Sequence, residues 1–260
     1  MKLDQYQVSA FTSQQFGGNP AAVVPLQEWL PTETMQAIAA ENNLSETAFY
    51  IPQADGFGLR WFTPGVEVDL CGHATLATAH VLFNELDYPE EALHFHTRSG
   101  ELVVRRSEDG IRMDFPAYEL KEAIIDPAIC LALGGNPVAA YQSPFWIYRY
   151  ESEAEVRALA PDMRALLDAA DTPVIATAVG DRVDFVSRFF GPQVGIDEDP
   201  VTGSAHCALV PLWADRLGKT ALSARQVSRR GGELHCELHR DRVLLRGHGL
   251  TFLRGQIELQ

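Results

Sequence analysis

A few short stretches of this 260-residue chain carry residues whose type and spacing suit proton chemistry on a small anion. In ENNLSETAFY, Glu46 lies between a helical and a strand-like segment, where a chain commonly enters a cleft. A partly desolvated carboxylate there is a candidate general acid/base, a role worth about 10²–10⁴ in rate. In DLCGHATLATAH, His73 follows Gly72 and is a candidate second proton carrier. In DEDPVTGSAHCALVPLW, Asp199, Gly203 and Ser204 stand where an acidic, small-residue loop turns into an apolar helix. A helix start has free N–H groups and a partial positive charge, so the starts at Gly72 and Gly203 are candidate carboxylate-binding mouths. Two such mouths facing one another across a cleft would clamp a substrate acid and stabilise the enolate-like charge left when a proton departs from carbon. Each residue also has a plainer reading on local sequence alone. Glu46 fits a helix-end or surface glutamate, His73 a capping or satisfied histidine, and Asp199 and Ser204 helix caps.

Other chemistries find less support. His235 and His239 are four apart, which in a strand puts them on one face about 13 Å apart, too far for one zinc ion. His94 and His96 share a strand face with no carboxylate or thiol partner nearby in the sequence, so no metal site is expected. No GxGxxG or P-loop occurs, and no nucleotide cofactor is implied. The formal charge of −14, with no basic run to offset it, argues against nucleic acid and anionic membranes as partners. Cys71, Cys130, Cys207 and Cys236 lack CxxC spacing and read as reduced thiols of a cytoplasmic protein. The opening MKLDQYQVSAF has no apolar h-region, and no run reaches the roughly 18 apolar residues of a membrane span.

The elements that must position these residues form a mixed α+β pattern. Strands are expected at 5–11 and 21–24, a helix over PTETMQAIAAENN, then strands TAFYI and LRWF, and a helix over HATLATAHVLFNEL. Ser107–Gly110 reads as a hairpin turn, and Pro161 suits the first turn of a helix over PDMRALLDAA. The most informative feature is an internal echo. LRWFTPGVEVDLCGHATLATAHVL and VSRFFGPQVGIDEDPVTGSAHCALVPLW both run from a strand with arginine and aromatics, through an acidic Gly/Pro loop, to a small-residue helix. Arg60 and Arg188 are 128 residues apart and Gly72 and Gly203 are 131 apart, close to half of 260. Two similar lobes, each with the same helix mouth, are the expectation.

The blocks FGGNPAAVV, ENNLSETAFY, LRWFTPGVEVDLCGHATLATAHVL and DEDPVTGSAHCALVPLWADRLGK resemble the signature blocks of the PhzF family of phenazine-biosynthesis isomerase-like proteins. They fall in family order and span nearly the whole chain. The resemblance implies a diaminopimelate epimerase-like fold: two pseudo-symmetric lobes, each a curved, mostly antiparallel sheet wrapped round a central helix. It places one lobe at 1–118 joined by 249–260, the other at 119–248, and the active site in the cleft between them. It implies a cofactor-free, metal-free isomerase, a homodimer, that moves a proton between carbons of a small carboxylic acid. The family's catalytic glutamate matches Glu46; its substrate-binding or relay residues match His73, Asp199 and Ser204, and its paired glycines match Gly72 and Gly203. Two alternatives remain open: a non-catalytic small-molecule binding protein on this fold, and an amino-acid racemase or epimerase. The racemase reading needs two opposed cysteines, and while Cys71 occupies the first position, Thr202 occupies the second.

Overall fold

The computed structural model describes residues 1–260. The chain divides into two compact units, Met1–Asp114 with Arg246–Gln260, and Phe115–Leu245. The first is built from β1 (Lys2–Ala10), β2 (Asn19–Pro25), α1 (Thr32–Asn42), β3 (Glu46–Gln53), β4 (Gly56–Phe62), β5 (Glu67–Val68), α2 (Gly72–His80), β6 (Ala92–Thr97), β7 (Gly100–Ser107) and β8 (Gly110–Pro116). The second contains β9 (Lys121–Ala123), α3 (Pro127–Leu133), β10 (Ala139–Gln142), β11 (Trp146–Arg149), α4 (Glu153–Ala158), α5 (Met163–Ala169), β12 (Val174–Val179), β13 (Phe185–Gly191), β14 (Ile196–Asp199), α6 (Gly203–Leu217), β15 (Ala221–Gln226) and β16 (Gly232–His239). Then β17 (Arg242–Gly247) leads to β18 (Gly249–Glu258), which belongs to the first unit.

In the first unit the sheet runs β18–β1–β2–β3–β4–β6–β7–β8, antiparallel except where β2 meets β3 and β4 meets β6. In the second it runs β9–β10–β11–β12–β13–β15–β16, with parallel pairs again at β11–β12 and β13–β15. The fold is therefore mixed α+β and sheet-dominated, the same strand plan being used in each unit. Each sheet curves round one buried helix. In α2 every residue from His73 to His80 is buried, and in α6 only a few residues reach solvent before its last turn. A helix buried on all sides must be apolar all round, and the runs of Ala, Leu, Thr and Cys satisfy that requirement.

The echo in the sequence has a physical basis. Arg60 of β4 makes a two-pronged ion pair with Glu67 at 2.7 and 2.8 Å and lies over the Phe62 ring. Arg188 of β13 makes the same pair with Glu198 at 2.7 and 3.0 Å and lies over Phe190. In each unit this fork ties the strand to the acidic loop that leads into the buried helix.

Local differences from the sequence expectation have identifiable causes. The helix over 73–86 is α-helical only to His80. It then widens through a π-turn at Val81–Glu85, where the Leu86 N–H reaches the Val81 carbonyl at 3.0 Å. Pro161 precedes α5 instead of opening it, because the Asp162 carboxylate takes the Arg164 and Ala165 N–H groups and sets the helix start there. Pro211 inside α6 cannot donate to the Cys207 carbonyl, and the Tyr118 N–H takes that acceptor at 2.9 Å. His94 and His96 do have carboxylate partners, Glu101 at 2.6 Å and Asp55 at 3.1 Å. The β6–β7 hairpin brings in Glu101, seven residues from His94, and the β3–β4 turn brings in Asp55, 41 residues from His96. The two histidines pair separately and share no acceptor. No helix is long and apolar enough to cross a membrane.

Candidate active site

Glu46 is placed by the end of a helix. Asn43 adopts left-handed backbone, φ 49°, its N–H closes on Ala39 at 3.1 Å, and the chain reverses into β3, whose first residue is Glu46. Alternation along β3 turns Thr47 and Phe49 toward α1, where Phe49 packs with Met35, Ile38 and Ala39 and Thr47 accepts from Asn42 at 3.1 Å. Glu46 and Ala48 face the other way. There they meet the start of α2, with Cys71 at the N-cap in extended backbone and no side chain capping the first turn. Gly72 opens the helix and His73 follows it.

At that corner His73 Nε2 lies 2.9 Å from Glu46 Oε2, with the two side chains 6 % and 12 % exposed. The separation is that of a hydrogen bond but the N–H and the oxygen are not aligned, so both atoms are buried without a formed bond. The other face of the ring is supported: Asn19 Nδ2 stands 3.2 Å from Nδ1 and the Cys71 sulfur 3.5 Å from it, while Ser45 Oγ donates to Asn19 Oδ1 at 3.1 Å. Burial alone would push His73 down. The neighbouring Cys71 sulfur and Glu46 carboxylate pull it upward. Burial first, and the Glu46 carboxylate second, push the Cys71 thiol up. With that thiol protonated at neutral pH, the upward pull on His73 comes from Glu46.

Glu46, Cys71 and His73 offer ligand atoms within 4.8 Å of one another. His73 turns Nδ1 to the sulfur and Nε2 to the carboxylate.

Asp199, Gly203 and Ser204 form a second group, in the other unit. Asp199 ends β14, paired with Phe189 of β13, and Gly203 and the half-buried Ser204 are the first two residues of α6. Asp199 does not cap the helix: its carboxylate accepts a short hydrogen bond from the Thr202 hydroxyl. Gln226 completes the corner, its Oε1 accepting from Thr202 N at 2.8 Å and its Nε2 donating to the Asp199 carbonyl at 2.7 Å. His206 sits one turn into α6, fully buried, with Nδ1 donating to the Thr202 carbonyl at 2.8 Å. Burial pushes it down to about 4.

Sequence reasoning missed Asn19, Ser45, Gln226 and His206. The first two lie inside FGGNPAAVV and ENNLSETAFY: Ser45 immediately precedes Glu46, whereas the block with Asn19 holds no candidate residue. Gln226 lies at the end of an ordinary strand and carries no local signal.

A curved sheet round a buried helix, built twice in one chain, is an epimerase-like architecture. A predicted epimerase from Pseudomonas aeruginosa shares it at a TM-score of 0.72 and 20% identity over 99% of this chain and 100% of that one. A probable proline racemase from Agrobacterium radiobacter shares it at 0.66 and 10%, over 99% and 93%. These likenesses concern the fold alone. The family assignment is finer: the model of the phenazine biosynthesis-like PhzC–PhzF proteins matches residues 8–255, and this chain belongs to that family. It is similar, at 51% identity over 100% of both chains, to a Pseudomonas aeruginosa protein named an uncharacterized isomerase. A human phenazine biosynthesis-like domain-containing protein is 41% identical over 99% of each chain. The crystal structure of a PhzF-family protein from Enterococcus faecalis matches at a TM-score of 0.97 and 48% identity over the full length of both.

Proposed function

We propose that this protein is a cofactor-independent isomerase that moves a proton between carbons of a small carboxylic acid, with Glu46 as the general acid/base. The observation that carries the reading is the buried Glu46–His73 contact. Oε2 is turned to the imidazole at 2.9 Å and buried, while Oε1, without a protein partner, is the oxygen open to a substrate. A carboxylate so arranged takes a proton from one carbon and returns it to another through the same oxygen. His73 steadies its charge in between. The unaligned N–H···O contact fits a site whose catalytic hydrogen bonds tighten only when substrate is bound. In this proposal the uncapped start of α2 at Gly72 offers N–H groups to the substrate carboxylate. Gly203, Ser204 and Asp199 serve as further substrate-binding groups. The names of the relatives as isomerases support the reaction class.

A two-thiol racemase fits less well. The Cys71 thiol is pushed up, away from the thiolate such an enzyme needs, and the position of the second thiol is held by Thr202, whose hydroxyl is bound to Asp199. The test is proton NMR in D₂O with a panel of amino acids and cyclic enamine or enol carboxylic acids. Wild type is expected to place deuterium at a carbon of one class of compound and Glu46→Gln to place none. Equal exchange by Glu46→Gln would remove Glu46 as the base. Binding without exchange across the panel would favour a binding protein.

A further inference from the structure

Asn19 is fully buried beside the proposed base, and the backbone is bent to put it there. It opens β2 opposite Ala10 of β1. The preceding Gly18 has φ +66°, and a Cβ on it would stand 2.2 Å from the Ala10 carbonyl oxygen, so no other residue fits that approach. The amide then spans two groups: its Oδ1 accepts from Ser45 Oγ at 3.1 Å, and its Nδ2 points to His73 Nδ1 at 3.2 Å. Ser45 is the residue immediately before Glu46.

The chemistry of the ring follows from what stands at each nitrogen. At Nδ1 both neighbours are donors, the Asn19 amide N–H and the Cys71 S–H at 3.5 Å. At Nε2 the neighbour is an acceptor, Glu46 Oε2 at 2.9 Å. The titratable groups facing the ring are Glu46 from β3 and Cys71 from the head of its own helix. By charge alone Glu46 would draw a second proton onto His73, the thiol being neutral. That proton has to sit on Nδ1, against the Asn19 N–H.

We propose that Asn19, oriented by Ser45, is a positioning residue that keeps His73 as the neutral Nε2–H tautomer, its single proton on the nitrogen that faces Glu46 Oε2. A buried donor to the neutral form of a base disfavours its charged form, and here it offsets the pull of the carboxylate. Glu46 then keeps its negative charge instead of losing it to an imidazolium partner, and Oε1 remains the oxygen that exchanges protons. This last consequence rests on the reading of Glu46 as the proton carrier; the tautomer assignment does not.

The experiment is ¹⁵N NMR of the imidazole nitrogens in the full chain, titrated from pH 5 to 9, with Asn19→Leu, Asn19→Asp and Ser45→Ala. Wild type is expected to show, at about pH 7.5, an unprotonated Nδ1 and a protonated Nε2. Asn19→Leu removes the opposing donor and is expected to move the His73 midpoint up by about one unit. Asn19→Asp supplies an acceptor and moves it further, holding the doubly protonated ring at neutral pH. Ser45→Ala frees the amide to turn and moves the midpoint the same way by less, and it serves as the test if the Asn19 variants do not fold. A wild-type ring protonated on Nδ1, or doubly protonated, at about pH 7.5 overturns the proposal. So does a midpoint that stays in place in every folded variant. In the deuterium-exchange assay, Asn19→Asp is expected to shift the base limb of the pH–rate profile. If the ring titrates as described but the profile does not move, the tautomer assignment stands and the role of Glu46 fails.

Discussion

The starts of α2 and α6 are built on one plan and finished differently. Both follow an arginine–glutamate fork, both have a Gly at the first helical position, and both have the N-cap residue in extended backbone without a side-chain cap. At α6 the acidic group is absorbed into the structure: the Asp199 carboxylate holds Thr202, and Gln226 ties both residues by three hydrogen bonds. At α2 the acidic group is held next to a histidine with neither atom in an aligned bond. A carboxylate whose partners the fold supplies stiffens it, whereas one left without an aligned bond costs stability and persists where chemistry needs it. The difference separates a carboxylate hydrogen-bonded at its helix start from one placed to take a proton.

The largest expected effect breaks the comparison on the α2 side. Glu46→Gln keeps the size of the side chain and removes the base, so solvent-deuterium incorporation should fall by about 10²–10⁴ with little change in melting temperature. On the α6 side the corresponding changes should act on stability first. His206 takes up its proton near pH 4 when folded and near 6.5 when unfolded. Between these values the unfolded chain binds more protons, so stability falls as pH drops through the window. The loss approaches about 3 kcal/mol at the acid end. Urea titrations at several pH values should show this acid limb in wild type and a flatter one in His206→Leu. Gln226→Leu strands the buried Thr202 N–H and should cost about 1–3 kcal/mol, read as a lowered melting temperature. Cys71→Ser is the smallest change: the thiol is pushed up and serves His73 only as a weak donor, so exchange should drop by less than about tenfold. A larger drop would place the sulfur among the reacting groups and blur the contrast between the two corners.

The sequence carried the fold further than it carried the site. The Arg60/Arg188 and Gly72/Gly203 spacings exposed the repeat because a fork and a buried helix start each demand particular residue types. The partners that complete each fork, Glu67 and Glu198, carry no signal of their own in those blocks, since an acidic residue in a loop is usually solvated. Glu46 and His73 are candidates by type, each with a plainer reading, and the family resemblance singles them out. Asn19 and Gln226 are not candidates by type, because a buried amide is recognised by what surrounds it, and that depends on strands from distant parts of the chain. His94 and His96 show the same limit: each has a carboxylate partner that spacing along their strand does not reveal.

One feature of the first unit reaches into how the protein is made. Its outer strand, β18, pairs with β1 along nine positions and is pinned by Arg254 and Thr251 to Glu85, yet it is translated after every residue of the second unit. On the ribosome the second unit can close while the first still presents β1 as an open edge, a template for wrong pairing. The unit that is begun first is completed last, and the Glu46 corner belongs to it.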